Sequence, residues 1–279
     1  MKIDEECYDC LARLVRQASE LATKDEALRE KAITEGLDYL EREFSRDKIS
    51  IEVATPLHRI VREITGNPDP YFRMKRAEID MAARLYEESR LRTDGDLRDD
   101  IIMAVRGNII DFFRNFEEIT RDLSLQVEFA IDDTRLLEER LEHARDILYL
   151  ADNTGEVFFD LNLVRRMGQK ASIKYVVKEA PVQNDVTLAD LEAFGLTGEL
   201  PEVISTGTDT PGVLMALASD EFKSEYTRAD LVLAKGMGYW ETLSELPPEG
   251  KVFHLLKAKC PPVARSLGVP LDSYVALLR

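Results

Sequence analysis

Two aspartates and an asparagine in this 279-residue sequence have the chemistry of a metal site. Asp152, Asn153 and Asp185 are hard oxygen donors that together carry only two formal negative charges. Such donors suit Mg²⁺, Mn²⁺ or a similar cation and leave positions open for water and substrate. Their motifs contain no cysteine or histidine, so a zinc-type site is a poor fit. The alternative role for both aspartates is capping of the helices that follow them, which would not explain all three residues.

Two lysines and two glycine turns have the chemistry of an anion site. Lys178 and Lys235 each follow an apolar run, and Lys235 precedes Gly236-Met237-Gly238, where small residues let backbone amides approach a ligand. Those amides and the ammonium group would cradle an anion at a helix N-terminus. The turn Thr206-Gly207-Thr208 is a second candidate cradle with hydroxyl donors. Lys178 is the weaker candidate, because its neighbour Glu179 predicts a partly exposed ion pair of small worth.

A phosphate group together with a divalent metal would account for both sets of residues. The metal would polarise the phosphoryl oxygens or activate water, and a lysine would offset the developing negative charge. Whether Asp152 attacks phosphorus itself or only holds the metal is open at this stage.

Five short apolar runs predict the sheet that positions these motifs. They cover residues 147–151, 173–177, 203–205, 231–234 and 252–256. Runs without polar alternation are typical of parallel strands that helices cover on both faces. The first four runs are followed directly by the motifs above, and ligands of open α/β sheets bind outside the carboxyl ends of the strands. We therefore expect the motifs to converge on one crevice.

The other apolar residues recur three and four apart, which predicts helices. Up to about residue 146 the predicted helices cover 11–22, 27–40, 51–64, 71–86 and 97–113, and a last one runs from Asp133 or Thr134 through Leu141. Further helices are predicted at 157–167, 188–194, 213–222 and 239–243. The pattern predicts an α/β protein, with a helical N-terminal domain over 1–146 and an open, mostly parallel sheet over 147–279.

The charge balance argues against two classes of partner. The chain has 37 Lys and Arg against 53 Asp and Glu, a formal net charge of −16. Such a surface repels phosphate backbones and anionic lipid, so neither nucleic acid nor a membrane is expected as a partner. No apolar run approaches the ~20 residues that span a bilayer. The first residues lack a signal-peptide core, which predicts a cytoplasmic location.

Three cysteines are too few for a disulfide framework. Cys7 and Cys10 form a C-x-x-C pair, and Cys260 lies far away in the sequence. A metal or redox site is one interpretation, but a tetrahedral zinc site would need a fourth ligand. We interpret the cysteines as reduced, partly buried thiols, and we expect Cys7 and Cys10 to serve stability or assembly rather than the chemical step.

Together these motifs resemble the damage-control phosphatases, long catalogued as domain of unknown function 89. The segments that carry the resemblance are Asp152-Asn153-Thr154-Gly155-Glu156, Lys178 with Pro181 and Asn184-Asp185, Lys235-Gly236-Met237-Gly238-Tyr239-Trp240-Glu241, Cys7-x-x-Cys10, residues 106–111, and Lys259-Cys260-Pro261. They span essentially the whole chain and are similar to the archaeal and bacterial branch. The resemblance implies a helical N-terminal domain and a Rossmann-like α/β/α domain that holds a divalent metal. It also implies hydrolysis of phosphomonoesters, such as phosphorylated sugars or damaged phosphometabolites.

The resemblance also implies roles for single residues. The implied metal ligands are Asp152, Asn153 and Asp185, and Lys235 is the implied contact with phosphate. With the anion-site motifs above, we predict Asp152 and Lys235 as catalytic residues, and as substrate contacts Asn108, Lys178, Asn184, Gly207, Thr208 and Gly236. Asn108 is expected to face the cleft between the domains, on one helix face with Asp111. The sequence departs from the family at Tyr239, where an asparagine is usual. A tyrosine hydroxyl cannot reproduce the donor and acceptor of an amide, which puts substrate contact at that position in question.

Three functions compete on this reading. The first is a phosphatase of a small phosphorylated metabolite that uses Mn²⁺, Co²⁺, Ni²⁺ or Mg²⁺. The second is a metal-dependent protein that binds such a metabolite without turning it over, and it would use the same residues. The third is a carboxyl methyltransferase, a role proposed for a relative of the family. A methyltransferase should show a glycine-rich loop after the first strand of its sheet, but here Asp152 and Asn153 follow that strand.

Overall fold

The N-terminal part of the chain is helical. A computed structural model describes residues 1–90, 95–109 and 116–279. Its first six helices in the described residues are α1 (Glu6–Ala22), α2 (Glu26–Glu43), α3 (Ser50–Thr65), α4 (Phe72–Arg90), α5 (Leu97–Arg106) and α6 (Phe116–Ser124). Helix α2 begins where Asp25 accepts hydrogen bonds from two backbone amides, and α3 ends at Gly66 in the left-handed conformation. The apolar stripes of α1, α2 and α3 pack together around Val15, Leu40 and Leu57.

The described part of the chain contains one seven-stranded sheet in the order β1-β7-β6-β5-β2-β3-β4. The strands are β1 (Phe129–Asp132), β2 (Asp146–Leu150), β3 (Ser172–Val177), β4 (Glu202–Ser205), β5 (Leu231–Lys235), β6 (Val252–Lys257) and β7 (Tyr274–Leu278). All neighbours are parallel except β6 and β7. From β2 the chain proceeds to β3 on one side and later returns through β5 on the other. The carboxyl ends of β2 and β5 therefore form a topological switch point, where ligands of such sheets bind.

Helices cover both faces of this sheet. The second half adds α7 (Thr134–Leu141), α8 (Val157–Gly168), α9 (Leu188–Ala193), α10 (Asp220–Arg228), α11 (Gly236–Leu243) and α12 (Pro261–Leu267). Along β2, Ile147 and Tyr149 pack into the apolar cluster that contains α8. Leu148 and Leu150 pack into the cluster that contains α10 and α11. Burial on both faces explains the continuous apolar runs, and the predicted α/β fold with a mostly parallel sheet is confirmed.

All five predicted strands are present, and two others were not predicted. Strand β1 lies inside the range predicted to be helical, and the C-terminal β7 runs antiparallel to β6. The helix predicted over 213–222 is wrong for its first part, because α10 begins only at Asp220, where Ser219 accepts a hydrogen bond from Phe222 N. The division into domains at residue 146 stays a prediction.

The helix predicted over 97–113 is shorter in the described residues. Helix α5 ends at Arg106 and a 3₁₀ turn follows at Gly107–Ile109. Residues 110–113, and with them Asp111, lie outside the described residues. Among the residues that are described, no helix combines the length and the apolar character needed to cross a bilayer.

Candidate active site

The three predicted metal ligands lie together at the switch point. Asp152 and Asn153 follow β2, and Asp185 lies in the loop after β3. Backbone pairing joins the two segments, because Asn153 forms an antiparallel bridge with Asp185 and Val186 N donates to Asp152 O at 2.9 Å. All three residues line one cavity of about 360 Å³. The adjacency expected from the parallel strands is therefore present in the structure.

Glycine at position 236 makes room for Asp152. Gly236 begins α11 with a positive φ of 78°, and a Cβ atom there would lie 1.9 Å from Asp152 Oδ2. Any other residue would collide with the carboxylate, so the turn after β5 is built to approach Asp152 closely. Gly236 thus contacts the predicted ligand from the neighbouring strand.

The carboxylates of this cluster are poorly compensated. Burial, with Glu156 and Asp185 nearby, raises the pKa of Asp152 well above its usual range. Burial also raises the pKa of Asp185 to about 6, although Lys178 opposes that shift. Among the described residues, Asp185 Oδ2 is buried and receives no hydrogen bond, and Lys178 Nζ lies 3.5 Å from it. A cation between these groups would supply the missing positive charge.

The donor set fits a hard divalent cation. Asp152 and Asp185 would contribute carboxylate oxygens, and Asn153 would contribute its amide oxygen. No group of three or more His, Cys, Asp or Glu side chains in the described ranges is arranged to hold a metal. A site here therefore depends on the asparagine amide as its third protein ligand, which favours Mg²⁺ or Mn²⁺ chemistry over a soft, thiolate-rich site.

Lys235, the predicted phosphate contact, is not brought to the cavity. Its ammonium group is fully buried and donates to Glu156 Oε2 at 2.8 Å and to Asp160 Oδ1 at 2.7 Å. Although burial opposes it, Asp160 and Glu156 raise the pKa of Lys235. Two carboxylates engage this ammonium in the interior, so the structure does not bring it to the cavity, and its predicted contact with phosphate stays a prediction.

Lys178 is also buried, and the predicted exposed pair with Glu179 is wrong. Lys178 Nζ donates to the hydroxyl of Tyr239 at 3.0 Å and to the carbonyl of Gly212, while Glu179 accepts from Ser205. Tyr239 is fully buried, and Lys178 Nζ lies 4.2 Å from the centre of its ring. Neither Lys178 nor Tyr239 lines the cavity, because the hydroxyl and the carbonyl engage the ammonium in the interior.

The turn at residues 206–208 forms hydrogen bonds with the residues next to it in the chain. Gly207 N donates to Ser205 Oγ at 2.7 Å, and a Cβ on Gly207 would lie 2.5 Å from Ser219 Cβ. The hydroxyls of Thr208 and Thr210 lie 2.8 Å apart. These partners occupy the donors predicted to bind an anion, and neither Gly207 nor Thr208 lines the cavity.

The two predicted asparagine contacts differ in position. Asn184 donates to Glu78 of α4 at 3.0 Å, and its carbonyl accepts from Thr154 N at 2.8 Å. It holds the loop after β3 instead of lining the cavity. Asn108, on the turn after α5, does line the cavity and donates to Glu156.

Similarity to known proteins decides the family. Residues 3–275 match the model of the ARMT1-like domain of damage-control phosphatases. The chain belongs to the damage-control phosphatase family. It is 35% identical over 283 residues to the damage-control phosphatase PH1575 of Pyrococcus horikoshii, with 99% of this chain and 98% of that protein covered. It is 32% identical over 289 residues to a damage-control phosphatase of Archaeoglobus fulgidus, with 99% of each chain covered.

A solved structure shows the same fold. The crystal structure of the DUF89 family protein PH1575 of Pyrococcus horikoshii superposes with a TM-score of 0.92 at 34% identity. The match covers 100% of this chain and 99% of that chain. The resemblance inferred from the motifs is therefore confirmed over the full length.

In this family member the cavity has a second wall that the sequence did not predict. Cys7 and Cys10 of α1 line it, and so does Cys260 before α12, which lies 250 residues after Cys10 in the sequence. Burial raises the pKa of Cys7 and raises that of Cys260 to about 11, so both thiols stay protonated at neutral pH. The only sequence signal was their presence in segments that carried the family resemblance.

Basic side chains on the same cavity were missed as well. Arg13 of α1, Lys257 at the end of β6 and Lys259 after it belong to the lining. Lys257 lies 3.7 Å from Asp272, and Lys259 is exposed. Strand β6 was predicted, so a lysine at its carboxyl end was the available signal.

Proposed function

We propose that this damage-control phosphatase family member is a divalent-metal-dependent phosphatase that hydrolyses phosphomonoesters of small metabolites. One observation carries the proposal: the half-buried carboxylate of Asp152 and the buried carboxylate of Asp185, both with raised pKa values, meet the amide of Asn153 on a cavity at the switch point of the sheet. The names of two curated relatives support hydrolysis of phosphate esters. The cation would be Mn²⁺, Co²⁺, Ni²⁺ or Mg²⁺, each of which accepts oxygen ligands.

Asp152, Asn153 and Asp185 would hold the cation. When bound, the cation would polarise the phosphoryl oxygens and offset the charge that develops on them. Asp152 presents its carboxylate to the cavity against Gly236. Lys178, 3.5 Å from Asp185 Oδ2, would fix that carboxylate in position. These two contacts would keep the ligand geometry fixed while substrate enters and leaves.

The basic lining residues are the better candidates for contact with phosphate. Lys235 is occupied by two carboxylates, whereas Arg13, Lys257 and Lys259 line the cavity itself. Glu6 and Glu241 line the same cavity, but these three positive charges would still help attract an anionic substrate to a protein with a net charge of −16. We assign the phosphate-steering role to this basic wall.

The size of the cavity supports a small-metabolite substrate. Its volume of about 360 Å³ lies near the lower end of small-molecule sites, which run from about 300 to 1,000 Å³. Apolar side chains of α1 and α3, including Leu11, Leu14 and Ile51, form part of the wall away from the predicted ligands. A phosphorylated metabolite would place its phosphate at the polar end and its leaving group against this wall.

Hydrolysis of p-nitrophenyl phosphate tests the proposal. We expect turnover with added Mn²⁺, Co²⁺, Ni²⁺ or Mg²⁺ and loss of turnover in EDTA, restored by excess metal. Undiminished turnover in EDTA would contradict the metal dependence. Binding of Mn²⁺ and inorganic phosphate without turnover of aryl or sugar phosphates would instead indicate a binding protein.

A further inference from the structure

Glu156 is a buried carboxylate at this site that accepts hydrogen bonds from two cavity-lining amides. It closes the segment Asp152–Glu156, which follows β2, and it is fully buried. Its Oε1 accepts from Asn153 Nδ2 at 2.8 Å. Its Oε2 accepts from Asn108 Nδ2 and, at 2.8 Å, from Lys235 Nζ. Three donors thus converge on one carboxylate behind the predicted ligands.

These bonds fix which end of each amide is available. Only the nitrogen of an amide can donate to a carboxylate, so the Asn153 nitrogen must lie toward Glu156. Asn153 Nδ2 also lies 3.3 Å from Asp152 Oδ2, which leaves Oδ1 as the edge turned away from both acids. Oxygen is the atom that a hard cation requires. Without Glu156, the amide would be free to present its nitrogen to the cation.

The surroundings of Glu156 hold it rigidly. Lys235 is shared with Asp160, which lies one helical turn further along at 2.7 Å. Asp160 in turn accepts from the hydroxyl of Tyr175 at 3.1 Å. On the other side, Gly107 packs so closely that a Cβ there would lie 3.2 Å from Glu156 Cβ. The carboxylate therefore has little freedom to follow a misplaced amide.

We propose that Glu156 is a positioning residue that orients the amide of Asn153 toward the cation and, through Asn108, ties the turn after α5 to the same point. The inference rests on the proposed metal-dependent function, because it requires a cation beside Asn153. It assigns no ligand role to Glu156 itself. Lys235 belongs to the same device, since its ammonium holds the carboxylate that holds the amides.

Mn²⁺ binding to the full-length protein, measured by isothermal titration calorimetry, tests the proposal. We expect Glu156→Gln to raise the Kd for Mn²⁺ by about 10- to 100-fold, as for other residues that orient metal ligands. Asp160→Asn is the matched control, because it also removes a buried carboxylate from Lys235 but leaves all three donors to Glu156, namely Asn153, Asn108 and Lys235, in place. It should leave the Kd within about threefold of wild type, and the urea midpoints of both variants check that they are folded.

Glu156→Asp covers the case in which Glu156→Gln fails to fold. It keeps a negative charge beside Lys235 but is one methylene shorter, so it cannot reach Asn153 and Asn108 together. The Kd for Mn²⁺ should again rise. Equal weakening by Glu156→Gln and Asp160→Asn, or wild-type affinity in both Glu156 variants, would overturn the positioning role. If the wild type binds Mn²⁺ and the Glu156 variants bind it with the same Kd, only the positioning role is wrong and the proposed function stands. If the wild type shows no binding of Mn²⁺, the positioning role and the proposed metal dependence are both wrong.

Discussion

Two buried lysines stand at the ends of the strands that flank β2, and they differ in what surrounds them. Lys235, at the end of β5, has two carboxylates within 2.8 Å. Lys178, after β3, has one carboxylate at 3.5 Å and otherwise contacts a hydroxyl and a carbonyl. The first lysine is saturated with negative charge, and the second is not.

The difference separates a balanced cluster from an unbalanced one. Behind the cavity, Glu156 and Asp160 each accept a hydrogen bond from the Lys235 ammonium, although burial still raises the pKa of Asp160 to about 6. We call this directly bonded group the balanced cluster. On the cavity, the one ammonium group within 4 Å of Asp152 or Asp185 in the described residues is Lys178, 3.5 Å from Asp185, and burial raises the pKa of both carboxyls. We call this pair the unbalanced cluster. Buried carboxylates with a structural role need a hydrogen-bonded cationic partner from the protein, whereas a cation site keeps carboxylates whose charge the bound ion neutralises. The predictions below test this contrast.

The largest effect is expected from Asp152→Asn. The kcat/KM for p-nitrophenyl phosphate at saturating Mn²⁺ should fall by roughly 10³-fold or more, or about 4 kcal/mol, because the proposed cation site would lose a charged ligand. The urea midpoint of the metal-free protein should hold or rise, because a carboxylate disfavoured by burial and by its neighbours has been removed.

Asp146→Asn is the matched control for that change. Asp146 lies at the opposite end of β2, where its carboxylate is part-exposed and 3.8 Å from Arg228. Such a pair contributes little, so both rate and midpoint should stay close to wild type. A wild-type rate in Asp152→Asn, or an equal loss in Asp146→Asn, would show that the unbalanced cluster is not the reaction centre.

The next effect is on stability, from Lys235→Met. Removing this ammonium leaves Glu156 and Asp160 buried without a counter-charge, which should cost about 3–5 kcal/mol of unfolding free energy. Lys178→Met should cost less, because it takes the counter-charge from one buried carboxylate, Asp185, whereas Lys235→Met takes it from two. Urea denaturation of both variants in EDTA at neutral pH measures the difference. If Lys178→Met proves the more damaging, the assignment of the balanced cluster to Lys235 is wrong.

The sequence was sufficient to predict the part of the fold that is buried on both faces. Strands β2, β3 and β5 appear in the sequence as continuous apolar runs, because neighbouring residues such as Ile147 and Leu148 pack into clusters on opposite faces of the sheet. Strand β1 gives no such signal, since it is four residues long, half-exposed and paired only with β7. The helix expected from residue 213 fails because Val213 N donates to the hydroxyl of Thr242 in another helix, a tertiary contact that no local pattern reveals.

The site was predictable where topology decides it. Parallel strands bring their carboxyl ends to one edge, so the adjacency of Asp152, Asn153 and Asp185 follows from the pattern. The lysines were misjudged because a strand-end position does not say what the ammonium meets. One signal was available: Glu156 and Asp160 are four apart at the start of α8, a spacing that lets both reach a single partner. No such signal links Cys260 to α1, because distant segments meet only in the folded chain.

The third effect concerns pH. Burial raises the pKa of Asp185 from 3.8 to about 6 in the folded protein. A carboxyl with a raised pKa binds more protons when folded, so its contribution is present below the unfolded value and is lost as pH rises through about 6. The metal-free wild type should therefore lose up to about 3 kcal/mol between roughly pH 4 and pH 7, relative to Asp185→Asn.

Urea denaturation of both proteins in EDTA across that pH range measures the loss. Mn²⁺ added at neutral pH should restore stability to the wild type and much less to Asp185→Asn, since the ion replaces the proton. Parallel pH profiles for the two proteins would mean that Asp185 is already compensated, which would remove the contrast with the balanced cluster.

The smallest effect is expected from the double variant Cys7→Ser, Cys10→Ser. Both thiols line the cavity wall formed by α1, and burial raises the pKa of Cys7, so that thiol is protonated and packs as a small apolar group. The kcat with Mn²⁺ should stay within about twofold of wild type, while the KM for a phosphomonoester should rise by a few-fold, less than about 1 kcal/mol. A folded double variant with no turnover would place a thiol in the chemical step. A selective change in KM would instead divide the cavity into a charged end that performs the reaction and a sulfur-lined wall that holds the leaving group.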